Sequence, residues 1–235
     1  DVTSVYPPEV NKVPKLGHVS KLNVEGLLEL KPTMVVVDAE AKDKPALKTL
    51  ADAGISIVAV PSKPTLNNAA RAASLLAEHL KLPGEKVTAY GKQIAADSLA
   101  LLETLSKANG ERPRVLFIYA RGAKQIMVAG AETEAAAMIE LAGGENAITS
   151  FTEFKPLTPE ALVEAAPEVI LMFESGLASL DGKEGLANIP GISQTPAFKN
   201  DRVIAMDGHY LLGFGPRAAQ AANDLARALY PVQSK

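Results

Sequence analysis

Apolar positions along this chain recur at helical spacing in some stretches and run uninterrupted in others, and one such succession occurs twice. Residues 25–37 read EGLLELKPTMVVV, and residues 160–172 read EALVEAAPEVILM. Both follow Glu-x-Leu-x-Glu-x-x-Pro-x-x and then three apolar residues. Asn23 and Thr158 stand where N-caps are expected, and Glu25 and Glu160 follow in the first turn. Such side chains accept from unpaired amides and favour the positive end of the helix dipole. Pro159 suits the first helical position, where its missing N–H costs nothing. Pro32 and Pro167 end the two helices, and a buried strand is predicted after each. A helix–strand unit repeated about half a chain apart predicts two related lobes with a ligand cleft between them.

The rest of the pattern agrees. Met34–Asp38 and Ser56–Val60 have the length and β-branching of buried parallel strands. Helices are predicted over 44–53, closed by Gly54, and over 65–80, ended by Pro83-Gly84. A longer helix over about 85–107 has apolar Val87, Ile94, Leu101, Leu102 and Leu105, and Asn109-Gly110 closes it. No Gly/Ser linker lies nearby, so this helix is the expected connector. The second half continues with a strand at 115–119, the loop 120–124, a helix over 133–141, the repeated unit, a loop-rich stretch and a strand at 202–206. A last helix runs from Pro216 to about Leu229. The expected fold is α/β, two lobes with mainly parallel sheets flanked by helices. Its parts are a first lobe over 1–84, a connecting helix over 85–110 and a second lobe over 111–235. Ligands in such folds gather at the carboxyl ends of the strands, which marks the loops 119–124, 173–176 and 206–210.

Composition narrows the function. The 235 residues suffice for one large domain or two lobes of about 100 to 120 residues. A formal net charge of −3 provides no basic field for nucleic acid. Hydrophobic residues make up 47%, yet no apolar run approaches the roughly 18 residues of a membrane span. There is no cysteine, which excludes disulfides, thiolate metal sites and cysteine nucleophiles. This fits an exported bacterial protein, expected here in processed form because no signal peptide opens the sequence.

Catalytic patterns are missing. The chain has no Gly-x-Ser-x-Gly, His-Glu-x-x-His or Walker loop. The run 213–218, GFGPRA, nominally matches a dinucleotide fingerprint, but it does not follow its strand directly and Pro216 removes an amide that a phosphate needs. It is read as a glycine turn that lets the last helix pack closely. The histidines, His18, His79 and His209, lack metal-site spacing. His79 reads as a partly buried helix residue, and His209 as a loop residue at the cleft edge. Tyr6, in the stiff extended segment Tyr6-Pro7-Pro8, offers a hard anionic oxygen suited to ferric iron.

The sequence resembles the haem-binding receptors of bacterial ABC haem importers, in the helical-backbone class that also holds cobalamin and siderophore receptors. The resemblance covers essentially the whole chain. It rests on the start at 1–8, on Gly17, Val24-Glu25-Gly26 and Lys31-Pro32, and on the long connecting helix. More specific to haem receptors are 115–128 (VLFIYARGAKQIMV), 154–158 (FKPLT) and 205–217 (AMDGHYLLGFGPR). The resemblance implies a non-enzymatic receptor that captures haem between its lobes and delivers it to an inner-membrane permease. Tyr6 is then the axial ligand to haem iron. Arg121 faces the haem from the second lobe, where some relatives carry histidine. It stays protonated, so it pairs with a propionate or supports the phenolate. His209 and Tyr210 are further candidate haem contacts. Glu25 and Glu160 match the acidic residues, one per lobe, that dock into the permease. The implied location is periplasmic, or extracellular and lipid-anchored in a Gram-positive source. Relatives begin with a strand and helix that this sequence lacks, so a shortened first lobe and a homodimer or segment-exchanged dimer are expected. The rivals are a cobalamin or ferric-siderophore receptor of the same class and, behind them, a tetrapyrrole-handling enzyme or chaperone.

Overall fold

The computed structural model describes residues 5–16 and 23–231. The chain divides into two compact units, residues 1–92 and 93–235. The first holds α1 (Val24–Glu29), β1 (Met34–Asp38), α2 (Pro45–Asp52), β2 (Ser56–Val60) and α3 (Leu66–His79). The 23-residue α4 (Gly84–Ser106) begins in the first unit and ends in the second.

Strands β1 and β2 pair in parallel, from Met34 beside Ser56 to Asp38 beside Val60. A small core of Leu27, Leu47 and Leu50 packs against Val35, Val37, Ile55 and Ile57. Burial of these strands is less than their composition predicts. No residue of β1 is buried, only Val58 of β2 is, and Val36 is 46% exposed. The period of two explains this. Val35 and Val37 face the core, whereas Val36 points to the opposite side.

The second unit carries a six-stranded sheet of β3 (Arg114–Ala120), β4 (Ile126–Ala129), β5 (Glu145–Asn146), β6 (Phe154–Pro156), β7 (Val169–Phe173) and β8 (Val203–Met206). The order is β6-β4-β3-β7-β8, with β5 pairing β3. Strands β3, β7 and β8 are parallel, while β4 and β6 add an antiparallel flank. With β5 also parallel to β3, the sheet is mixed, and the antiparallel pairs are confined to this flank. The loop after β3 is a hairpin turn, with Gly122 at φ 68°.

The helices of this unit are α5 (Glu134–Leu141), α6 (Pro159–Ala165), α7 (Glu174–Ala178), α8 (Gly182–Ala187), α9 (Pro196–Lys199), α10 (Gly208–Leu212) and α11 (Ala218–Leu229). Helices α7 to α10 occupy stretches read from sequence as loops, and α11 begins two residues after Pro216. Alternate residues of β3 and β7 (Leu116, Ile118, Ile170 and Met172) join Leu162 and Leu186 in one core. Phe117 and Leu171, at the intervening positions, are also fully buried.

The internal repeat forms as read. Asn23 accepts from the Glu25 amide at 3.0 Å, and Thr158 from the Ala161 amide at 3.2 Å. The repeated Leu27 and Leu162 are buried, and each copy turns through a left-handed residue directly before its proline, Lys31 at φ 49° and Ala166 at φ 36°.

Candidate functional site

The parallel strands of the second unit bring their carboxyl ends to one edge. β3 finishes at Ala120, β7 at Phe173 and β8 at Met206, with Phe173 in register beside Met206. The three loops singled out from sequence therefore start side by side, where sheets of this kind bind ligands. The hairpin turn is pinned. Arg121 donates its amide to the Gln125 carbonyl at 3.0 Å, and the Gly122 amide donates to Ser179 Oγ at 2.9 Å. Gly176 allows α7 to approach so closely, since a Cβ there would stand 3.3 Å from the Ala120 carbonyl oxygen.

A row of rings lies along this edge. Phe173 meets Phe117 edge-on at 5.1 Å and Tyr119 at 5.9 Å. Phe117 meets Phe154 at 6.2 Å. Phe117 is buried, but Tyr119 and Phe173, nearer the strand ends, are only half-buried. The guanidinium of Arg121, which is exposed, lies 5.6 Å from the centre of the Tyr119 ring. The edge thus combines apolar flat surface with one cation, the chemistry that suits a flat aromatic ligand carrying carboxylates. Tyr119 and Phe173 open two of the stretches marked from sequence, but neither was named as a haem contact; each occupies the last same-face position of its strand.

His209 lies in α10 and not in a loop, and it is exposed. The side chain of Asp207 caps this helix, accepting from the Tyr210 amide at 2.7 Å. Gly208 sets the helix start against the ring row, since a Cβ there would be 3.2 Å from the Phe173 ring. The Tyr210 hydroxyl donates to Asp224 on α11 at 2.8 Å, and the Arg217 guanidinium lies 4.9 Å from its ring centre. Burial first, then the bond to Asp224, push the Tyr210 phenol up from its ordinary value. A phenol held this way is a donor and a structural tie, and is disfavoured as an anionic iron ligand.

In the first unit Tyr6 is 54% exposed, directly before Pro7 and a short 3-10 turn over Pro8–Lys12. Glu25 on α1 and Glu160 on α6 are both exposed in the first turns of their helices. His79 ends α3 and is exposed, not partly buried. His18 lies outside the described residues. Among the described residues no group of three or more His, Cys, Asp or Glu is placed to hold a metal ion. A groove of about 1160 Å3 in the second unit lies at the other edge of the sheet, where Pro113, Glu168 and Arg202 precede β3, β7 and β8. It is remote from the ring row.

Residues 1–210 match the family described as Periplasmic binding protein. This chain belongs to that family. Two similar solved structures are haem-binding. The periplasmic heme-binding protein RhuT from Roseiflexus sp. RS-1, in apo form, is 38% identical with a TM-score of 0.88, covering 98% of this chain and 88% of its own. The periplasmic heme-binding protein BhuT in complex with two hemes is 35% identical with a TM-score of 0.89, covering 98% of this chain and 87% of its own. Among curated relatives, the uncharacterized ABC transporter substrate-binding lipoprotein YvrC of Bacillus subtilis (strain 168) is 27% identical, over 96% of this chain and 70% of its own length. A vitamin B12-binding protein from Pectobacterium atrosepticum is 26% identical, over 96% of this chain and 78% of its own.

Proposed function

We propose that this chain is a substrate-binding receptor that captures haem and delivers it to an ABC importer. The likeness to haem-binding proteins across nearly the whole chain carries this reading. The edge formed by Tyr119, Phe173 and Arg121 supports it chemically. The receptor is not an enzyme, since its relatives are binding components of transporters.

In this proposal Tyr6, 54% exposed as a residue, supplies a phenolate to ferric iron. Arg121 pairs with a propionate or favours the charged form of the phenolate. The rings of Tyr119 and Phe173 offer apolar surface to the macrocycle. His209 is a further edge contact, and Tyr210 contributes through its ring, with its hydroxyl given to Asp224. Glu25 and Glu160 are the permease-docking carboxylates, presented at matching positions of the repeat. The division into 1–84, 85–110 and 111–235, with α4 as connector, belongs to the same proposal. The receptor works outside the cytoplasmic membrane, in the periplasm or, in a Gram-positive source, on a lipid anchor. The dimer expected from a shortened first lobe has no supporting observation, so the proposal is for the single chain.

A second reading, a cobalamin receptor, rests on the vitamin B12-binding relative. Haemin titration by visible absorption separates the two. The expected result is saturable binding with a ferric high-spin spectrum that Tyr6→Ala abolishes. Saturable cobalamin binding without any haemin binding would overturn the haem reading.

A further inference from the structure

The strand ends of the second unit carry more than a pair of rings. Met127 of β4 stands directly opposite Tyr119 of β3, and Met206 of β8 is in register beside Phe173 of β7. Tyr119 and Phe173 themselves meet edge-on at 5.9 Å. Beyond Met127, Pro156 of β6 continues the line. Residues in register on neighbouring strands share one face of a sheet. Pro156, Met127, Tyr119, Phe173 and Met206 therefore lie side by side at the carboxyl edge, crossing the sheet from β6 to β8. With strands about 4.8 Å apart, the line is about 19 Å long.

One residue along each strand, the opposite face is a closed core, where Ile118, Val128 and Met172 are fully buried. The line is not closed. Met127, Tyr119, Phe173 and Met206 are half-buried, and Pro156 is exposed. The methionines elsewhere in this unit, Met138 and Met172, are fully buried. A thioether makes no strong hydrogen bond, and its unbranched chain adapts to irregular apolar surfaces and rings. Packing the core thus accounts for Met138 and Met172. It does not account for thioethers left half-open on both sides of a ring pair, beside the exposed cation of Arg121. Apolar surface continuous over such a length, with charge at its border, is the mark of a binding edge.

We infer that Met127 and Met206 are ligand-contacting residues, which extend the ring pair on both sides into one apolar shelf for the face of the macrocycle. This rests on the haem reading above. The rings supply rigid flat surface in the middle, and the thioethers supply adaptable surface at its flanks.

Haemin titration by visible absorption tests it on the wild-type chain, Met127→Gln, Met206→Gln and the leucine variants at the same positions. Glutamine keeps the length of methionine and adds an amide, so each glutamine variant is expected to bind haemin about tenfold more weakly. Met127→Leu and Met206→Leu keep the apolar contact and are expected to bind within about twofold of wild type. Undiminished binding by the glutamine variants overturns the inference. So does a loss in the leucine variants as large as in the glutamine ones, which would make the sulfur an iron ligand. A further measurement needs no substitution. Dilute peroxide converts accessible methionine to its sulfoxide, and mass spectrometry reads the yield at each residue. With gallium(III) protoporphyrin, a redox-inert counterpart of haemin, Met127 and Met206 are expected to become protected, while Met34, at the start of β1, keeps its reactivity. Unchanged oxidation of Met127 and Met206 in the loaded chain overturns the inference and leaves the haem reading standing. A wild-type chain that takes up no haemin removes the haem reading itself, and that outcome is distinct from the others.

Discussion

The two copies of the helix–strand repeat begin alike and end in different surroundings. Both have a side-chain cap, a buried leucine and a left-handed residue before proline. In β7, however, four of five residues are buried, whereas in β1 none is. The difference comes from neighbours. β7 lies between β3 and β8 with a core face on each side, while β1 pairs with β2 among the described residues. Local sequence decides that a helix–proline–strand forms. Tertiary context decides how much stability that strand contributes.

The largest expected effect is the sharpest way to break this comparison. Leu171→Ala, at a fully buried site in β7, should cost about 3 to 4 kcal/mol in denaturant unfolding. Val36→Ala, at an exposed site in β1, should cost less than about 1 kcal/mol. Equal losses would mean that the opposite face of β1 is covered in solution. The caps test the other half of the argument. Asn23→Ala and Thr158→Ala should each cost about 1 kcal/mol, because each leaves one amide unpaired whatever the strand beyond it does. Faster hydrogen exchange at the Glu25 and Ala161 amides would localise the loss. If Thr158→Ala cost several times more than Asn23→Ala, the caps would depend on tertiary context after all.

What was legible in the sequence follows the same line. β1 and β2 fall on the residues that their apolar runs mark, and α3 and α4 lie within about one residue of the expected bounds. These elements announce themselves by period and by caps. The hairpin strand β4 did not, because Ile126–Ala129 is a four-residue run with no alternation to separate it from a loop. Helices α7 to α10, each of four to six residues, are too short to show a period and are held by packing. In the site, the three strand ends were legible from the strands themselves, but the stretches after β7 and β8 form the short helices α7 and α10 and are not loops. The ring row was not legible. Tyr119 and Phe173 lie 54 positions apart and meet only through the parallel register of β3 with β7. The tie from Tyr210 to Asp224 depends likewise on how α10 and α11 pack.

That tie gives the smallest and most selective effect, at a junction that belongs to the second unit alone. Tyr210 faces Asp224 and Arg217 from α11 and its start, and Asp97 from α4. Burial and the two carboxylates raise its phenol pKa, and Arg217 opposes them in part. A raised folded-state value means that the stabilisation is fully present below the unfolded tyrosine value of about 10 and is lost as pH rises beyond it. Tyr210→Phe removes both the hydrogen bond and the titrating group. The stability advantage of wild type over Tyr210→Phe should therefore be constant from neutral pH to about 10 and shrink above it. Lysines titrate in both proteins and cancel in the difference. Urea unfolding of the pair at pH 7, 9 and 11 measures it. An advantage that grew between pH 9 and 11 would reverse the sign of the coupling and remove Asp224 as the group that holds this phenol.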